Sequence, residues 1–453
     1  MKKLTRFELS LIIIILGHAL VLLKSVFLPY PELFVYPYLT NIGLTPYVQI
    51  LDQHFPGLMF FPVNLANLGF TTPDSFRILQ VGIITFIHVI IYKTIVNITG
   101  SKKSALAGNI IFFVLHPFLE GHVVWIDNLI PLLLLPAYYL LLNKNKKNIL
   151  LSGIFIGAAI LLKQVVVPLS VLLLIVLWIE DKTVIKYFLT GLLVPLSFLL
   201  LFVLNKNMLN DFIFWTYTFN VTSFADMGRK YATWRQVLAV SVLYAPAILI
   251  AFYGFIVKNR TLMLLAIFFL VSLLFAYARF DFVHLQPSLP FAVILLVYFL
   301  SRLPNRFYES AFILFLIPIV WIASRFFINA GSGGITFFGS EEYKVADRIS
   351  EYVKRSDPIF MYGTLPHMYQ LTNTRPSGNI FVFHFPWFMK IAQPRILEGL
   401  MNDPPKVVIT QKSATIDGES LFGYMEDIDE YIVENYEKID EVGDIEILIP
   451  KKL

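Results

Sequence analysis

Five short stretches of this 453-residue chain carry the side chains whose types and spacing could do chemistry. In the run Gly43-Leu-Thr-Pro-Tyr-Val-Gln-Ile-Leu-Asp-Gln-His-Phe-Pro-Gly57 one carboxylate, Asp52, stands among aromatics and prolines, and the surrounding loop adds only Glu32 and Asp74. A carboxylate in a partly apolar setting at a membrane surface can act as a general base or bind a divalent cation, because such a setting raises its pKa toward the working range. The same spacing also suits a solvated or capping aspartate on an interfacial helix. In His116-Pro-Phe-Leu-Glu-Gly-His-Val-Val-Trp-Ile-Asp127 the acids are Glu120 and Asp127, with His122 between them. With Asp52 they supply oxygen and imidazole donors suited to Mg or Mn. Alternatively, the two acids sit at helix N-termini, where the dipole favours them. Arg279-Phe-Asp-Phe-Val-His284 offers a permanently charged planar guanidinium able to grip a phosphate bidentately, and an imidazole able to bond a phosphate or sugar hydroxyl. Lys163-Gln164 is a cation inside an apolar stretch, where snorkelling is the plain reading. Asp211 to Asn220 is rich in aromatics and reads as an interfacial helix or a ledge for substrate.

The elements that must position these residues are membrane helices. Hydrophobic residues make up 57% of the chain and charged ones 15%, well below the share of a soluble domain. Cysteine is absent, which excludes thiolate catalysis, disulfides and zinc-thiolate sites. A span needs about 20 apolar residues to cross about 30 Å of hydrocarbon. Segments near 9–28, 76–98, 104–118, 124–142, 148–163, 165–179, 187–205, 236–257, 261–278, 285–301 and 308–328 qualify, so about eleven transmembrane helices are expected. Residues 148–179 are long for one span and short for two. A single helix would leave Lys163 near mid-bilayer at a cost of about 2.5 to 3.5 kcal/mol, so a split that puts Lys163 and Gln164 at the outer surface, beside Pro168, is preferred.

With Lys2, Lys3 and Arg6 holding the N-terminus in the cytoplasm, the inner turns receive Lys102/Lys103, Lys144/Lys146/Lys147, Lys182/Lys186, Lys258/Arg260 and Arg302/Arg306. The run from Leu9 to Phe27 is as long as a span and is expected to remain as the first helix. Before Gly339 the chain has 24 Lys/Arg against 12 Asp/Glu, and after it 12 against 19. The basic balance therefore concerns membrane orientation and not nucleic acid. The expected organisation is a transmembrane catalytic domain over 1–330, with a large first extracytoplasmic loop at 29–75, then a small extracytoplasmic soluble α/β domain over 340–453. Gly331, Ser332, Gly333 and Gly334 form the flexible connection. In the tail, helices are expected at Ser340 to Arg355, Gln393 to Asn402 and Leu421 to Tyr436, and strands at Pro358 to Tyr362, Lys406 to Thr410 and Ile445 to Ile449.

The order Gly, Pro-Tyr, an acidic position, Asp52, Pro-Gly resembles the first-loop signature of GT-C glycosyltransferases, polytopic enzymes that use polyprenyl-phosphate sugars. Many bacterial members carry two acids three residues apart; here the first position is Gln49, which throws the weight onto Asp52. Asp127 matches the carboxylate these enzymes place at the start of the fourth span. Lys163-Gln164 resembles their Lys-Gln or Lys-Glu step, where a cation can face the lipid phosphate, and Arg279 through Pro290 resembles their late Arg, His, Pro, Pro segment. Ile359 to Asn373 extends the likeness into the tail, and the chain is similar to the group of bacterial protein mannosyltransferases and aminoarabinose transferases. The resemblance implies an integral plasma (inner) membrane enzyme that moves a sugar from a lipid-linked donor to an acceptor hydroxyl of a glycan, lipid or protein, with inversion. Asp52 would be the base, with Asp127 as second catalytic candidate and Lys163, Arg279 and His284 on the donor phosphate. A transporter or flippase would call for ionisable residues near mid-bilayer and related halves, and neither is evident in the sequence. A scaffold whose tail binds a partner is the remaining alternative.

Overall fold

The computed structural model describes residues 5–329, 333–411 and 413–452, so Lys2, Lys3, Gly331 and Ser332, to which expectations attach, lie outside the described residues. Each of the eleven hydrophobic segments is helical: Arg6–Lys24, Pro73–Thr99, Lys102–His116, Pro131–Leu141 preceded by the turn Ile126–Leu129, Lys146–Leu162, Val167–Glu180, Ile185–Asn205, Trp234–Ile256, Arg260–Ser272, Leu289–Leu300 and Asn305–Asn329. Among the described residues seven helices are long and apolar enough to cross a membrane, and Ile126–Leu141, Gln164–Glu180 and Leu289–Leu300 are apolar but shorter. The protein is an integral membrane protein. Polar residues start the helices where their first amides need partners: Thr5 with Glu8 and Thr233 with Gln236 form capping boxes, and Asn145 and Asn259 cap the helices that follow them.

The chain divides into two compact units. The first comprises residues up to 28, 74–199 and 230–334; the second comprises 29–73, 200–229 and 335 onward. In the first unit the ambiguous stretch 148–179 breaks at Lys163, whose backbone is extended (φ −156°, ψ 123°), and resumes after the 3-10 turn Gln164–Val166. Pro168 sits in the first turn of the next helix, where its missing N–H costs nothing. Helix Lys146–Leu162 meets helix Ile185–Asn205 backbone to backbone. A Cβ on Gly153 would lie 2.2 Å from the Phe188 carbonyl oxygen, and one on Gly191 would lie 2.0 Å from that of Leu150.

Three buried histidines tie the first three long helices. His18 Nδ1 lies 2.9 Å from His88 Nε2, His18 Nε2 lies 3.1 Å from His116 Nδ1, and His88 Nδ1 lies 2.6 Å from Asn109 Oδ1. An amide oxygen can only accept, so His88 carries its proton on Nδ1, which forces His18 and then His116 to do the same. Ionisable side chains therefore occur in mid-helix, contrary to the sequence-based expectation that they gather at one surface.

The second unit is built on a five-stranded mixed sheet. Strand Pro358–Tyr362 pairs in parallel with Arg375–Pro376 on one side and Val407–Gln411 on the other, and Ile445–Pro450 and Tyr436–Val442 add antiparallel strands. The two central strands, nearly continuous in apolar residues, are buried along their length. The hairpin Tyr436–Val442 to Ile445–Pro450, of which only the second strand was expected from the sequence, turns on Gly443 in the left-handed region (φ 64°) followed by Asp444. The first loop joins this unit covalently distant but hydrogen-bonded: Ile50–Leu51 pairs in parallel with Phe381–Val382, and Arg395 donates to the Val48 carbonyl at 2.7 Å.

Candidate functional site

Asp52 follows directly from strand Ile50–Leu51, so the pairing with Phe381–Val382 fixes where its Cα stands. Before it, the loop reverses through Tyr47, a bulky residue held at φ 63° by its amide bond to the Ile50 carbonyl and its hydroxyl bond to the His54 carbonyl. Such strain is kept only where the surroundings over-determine it. The Asp52 carboxylate meets three polar groups and keeps acceptor capacity on Oδ2. Oδ2 accepts from the Tyr36 hydroxyl at 2.5 Å, and Oδ1 accepts from the His54 amide at 2.7 Å and lies 2.9 Å from His54 Nδ1. With 3% exposure, Asp52 is neither the solvated nor the helix-capping residue that its spacing also allowed, and it is not at a surface. Burial, with Asp52 and Glu32 adding to it, holds the Tyr36 phenol well above its ordinary pKa, so it remains a donor to Asp52. Tyr36 itself is presented by helix Glu32–Asn41 and packs edge-on against Phe381 and Phe383.

The aromatic stretch from Asp211 to Asn220 has two faces. Trp215 and Phe219 are buried, Phe219 stacks on Phe388 at 5.0 Å, and Phe212 meets Tyr47 edge-on at 5.2 Å. Asn220 donates to the Gln53 carbonyl at 3.1 Å, so this face steadies the Asp52 loop. Ile213 and Tyr217 are exposed on the other.

In the first unit Asp127 occupies the first turn of Ile126–Leu129 and is fully buried. Both of its oxygens accept from Lys163 Nζ, at 3.0 and 2.8 Å, and His284 Nδ1 lies 3.2 Å from Oδ2 without an aligned hydrogen bond. The helix break at Lys163 aims this ammonium inward, and it also lies 5.2 Å from the Phe275 ring centroid. Lys163 does not snorkel: at 7% exposure it is half of a buried ion pair. Beside the pair, the Asn128 amide is buried with neither its nitrogen nor its oxygen bonded. Sequence reasoning placed Lys163 and Asp127 separately; nothing in their spacing announced that they pair.

Glu120 lies in the turn Pro117–Gly121, where it takes the left-handed conformation (φ 61°, ψ 31°). The turn is held from outside. Gln286 donates to the carbonyls of His116 and Leu119 at 3.2 and 2.5 Å, and Gln80 donates to that of Gly121 at 2.5 Å. Glu120 in turn accepts from the Val283 amide at 2.9 Å, anchoring the 3-10 turn Phe282–Leu285 that carries His284. At the start of that segment Arg279 Nε lies 3.3 Å from Asp281, which also pairs with Lys230 at 2.9 Å. Lys230 and Asp281 were missed: Asp281 was in view inside the Arg279 motif, whereas Lys230 arrives through a backbone bridge to Arg279 that leaves no sequence signal.

The proposed cation ligands Asp52, Glu120 and Asp127 each have other partners, and among the described residues no group of three or more His, Asp or Glu could hold a metal ion. His122 packs on Phe326 with ring centroids 5.1 Å apart. With an ammonium across both oxygens, Asp127 does not fit a second cation.

A helical membrane unit joined to a mixed-sheet unit that recruits the first loop defines a known architecture. The chain shares the fold of ArnT from Cupriavidus metallidurans in the apo state, with a TM-score of 0.60 and 12% identity over 97% of each chain. It is also similar to the archaeal oligosaccharyltransferase AglB from Archaeoglobus fulgidus in complex with an inhibitory peptide and a dolichol-phosphate (TM-score 0.58, 10% identity, 90% of this chain and 70% of that one). A complex of the Archaeoglobus fulgidus oligosaccharyltransferase with Zn and sulfate matches at a TM-score of 0.55 and 12% identity, over 89% of this chain and 68% of that one. This is the GT-C fold that the sequence resemblance implied. No protein-family model matches the chain, and no curated protein does.

Proposed function

We propose that the protein is a glycosyltransferase that moves a sugar from a polyprenyl-phosphate donor to an acceptor hydroxyl on the extracytoplasmic face, inverting the anomeric carbon. The observation that carries the reading is Asp52: a buried carboxylate at the motif position, held by Tyr36 and His54, in a chain with the fold of a known oligosaccharyltransferase. The dolichol-phosphate of that neighbour supports a lipid-linked donor.

In this reading the acceptor oxygen attacks the anomeric carbon as the bond to the phosphate oxygen breaks. The hydroxyl proton passes to Asp52, and Tyr36 and His54 hold the carboxylate in place while it receives it. The polyprenyl phosphate leaves as a stable anion, so the demand is for positive charge and not for a general acid. Arg279 and Lys230, at 20% and 49% side-chain exposure, both pair with Asp281 and are the cations assigned to that charge. Lys163 is balanced by Asp127, and the pair orients His284, whose Nε2 is left for a phosphate or sugar oxygen. Because the three acids do not fit a metal as a set, no step is assigned to one; Mg or Mn enters only as an additive to be tested.

The purified protein in detergent, given a panel of polyprenyl-phosphate sugars and a hydroxyl acceptor, is expected to release polyprenyl phosphate from at least one donor, with product of opposite anomeric configuration. Absence of release with every donor, with and without Mg or Mn, would point to the transporter or scaffold reading.

A further inference from the structure

The second unit encloses a cavity of about 290 Å³ that the transfer reaction as described does not use. Its walls are mainly aromatic and aliphatic, with Phe360, Phe381, Phe383 and Phe385 among them, and no Lys or Arg is among the described residues that line it. Two buried polar side chains open onto it. Glu32, 8% exposed, has Oε2 without a hydrogen-bond partner; His384, also 8% exposed, has Nδ1 without one. Neither atom is an accident of the surface, because an unmet polar atom at this depth costs free energy that folding must offset elsewhere. The cavity also adjoins the Asp52 wall: Phe381 and Phe383 face it and pack against Tyr36, the donor to Asp52.

The two polar groups are complementary in sign. Burial, partly offset by a bond from its own backbone and reinforced by Asp52, pushes the Glu32 carboxyl up to about 8, so near neutral pH it is protonated and donates. His384 is pushed down to about 4 by burial and is neutral; its bond to the backbone of Gly363 uses the ring N–H and leaves Nδ1 as an acceptor. An occupant must therefore accept one hydrogen bond and donate another while stacking on aromatic faces. An acyl chain would leave both atoms unmet. An anion would face the Asp417 carboxylate with no Lys or Arg among the described lining residues to balance it. The volume lies at the lower end of small-molecule sites, enough for one ring and not for a long chain.

We propose that this cavity is a binding subsite for one uncharged, hydroxyl-bearing sugar ring, with Glu32 as donor, His384 as acceptor and the phenylalanines as stacking walls. Assigning the ring to the reaction's acceptor rests on the glycosyltransferase reading; binding of the ring itself does not.

The test uses the full-length protein in detergent, without lipid donor, and measures saturable binding of neutral methyl hexosides and pentosides, of glucosamine and of glucuronate by saturation-transfer NMR and calorimetry. At least one neutral glycoside is expected to bind, and glucosamine and glucuronate to bind at least about tenfold more weakly. Glu32→Gln, which keeps a neutral donor, is expected to stay near wild-type affinity. Glu32→Ala and His384→Phe are each expected to lose about tenfold or more, with unchanged thermal unfolding as the control for folding. Tighter binding of glucosamine that Glu32→Gln abolishes would replace the neutral-sugar site with a cation cage. No binding of any neutral glycoside to the folded wild type would overturn the proposal, and would do so even if sugar transfer from lipid donors were observed.

Discussion

Asp127 and Lys163 are the residues whose meaning changed most between sequence and structure. Read singly, a lysine in an apolar stretch suggests snorkelling and an aspartate at a helix start suggests a dipole effect. Brought together and buried, they neutralise one another. Removing one partner leaves a charge without compensation, so Lys163→Met is expected to destabilise the protein by about 3 to 5 kcal/mol, and Lys163→Met with Asp127→Leu by much less. Thermal unfolding in detergent checks this, and equal losses in the single and double variants would mean the pair is not energetically coupled. Asp52 was legible because its motif is local, but its environment was not. Tyr36 stands on the preceding helix, and the strand that seats the loop pairs with residues some 330 positions later in the chain, so no window of sequence contains the site.

At the scale of elements, hydropathy marked all seven helices that are long and apolar enough to cross a membrane among the described residues, because an apolar run long enough to span has few other stable conformations in lipid. The break at Lys163 was also foreseeable, since an unbroken helix would bury a charge, and Pro168 follows close behind. The turn Pro117–Gly121 was not. Its course depends on Gln80 and Gln286 reaching in from other helices, and on Gly121 having no side chain, for a Cβ there would lie 2.1 Å from His116 Nδ1. Gly121→Ala is therefore expected to cost about 1 to 3 kcal/mol by overpacking and to lower turnover by displacing the Phe282–Leu285 turn and with it His284. A variant with wild-type unfolding temperature and wild-type turnover would show that the turn adjusts without consequence. In the aromatic run at 211–220 periodicity alone could not separate the residues that fill the core, Trp215 and Phe219, from the exposed Ile213 and Tyr217.

For the molecule as a whole, the orientation proposed from the basic inner turns would put residues of the first loop and of the tail on the extracytoplasmic side. The chain has no cysteine, so single cysteines report cleanly. Leu68→Cys and Met401→Cys, both at positions 62% exposed, are expected to react with an impermeant maleimide on intact cells, and Lys147→Cys is expected not to. Labelling at 68 with protection at 401 would mean that an odd number of crossings had been miscounted. The central proposal, that this chain transfers sugar with Asp52 as its base, is tested most directly by the rate of polyprenyl phosphate release from wild type and Asp52→Asn under the same saturating donor and acceptor. Asparagine keeps the size and an acceptor for Tyr36 but cannot take a proton, so the rate should fall by about 10² to 10⁴ while donor affinity is retained. Release by Asp52→Asn at a rate close to wild type would contradict the account and make Asp127 the next carboxylate to examine.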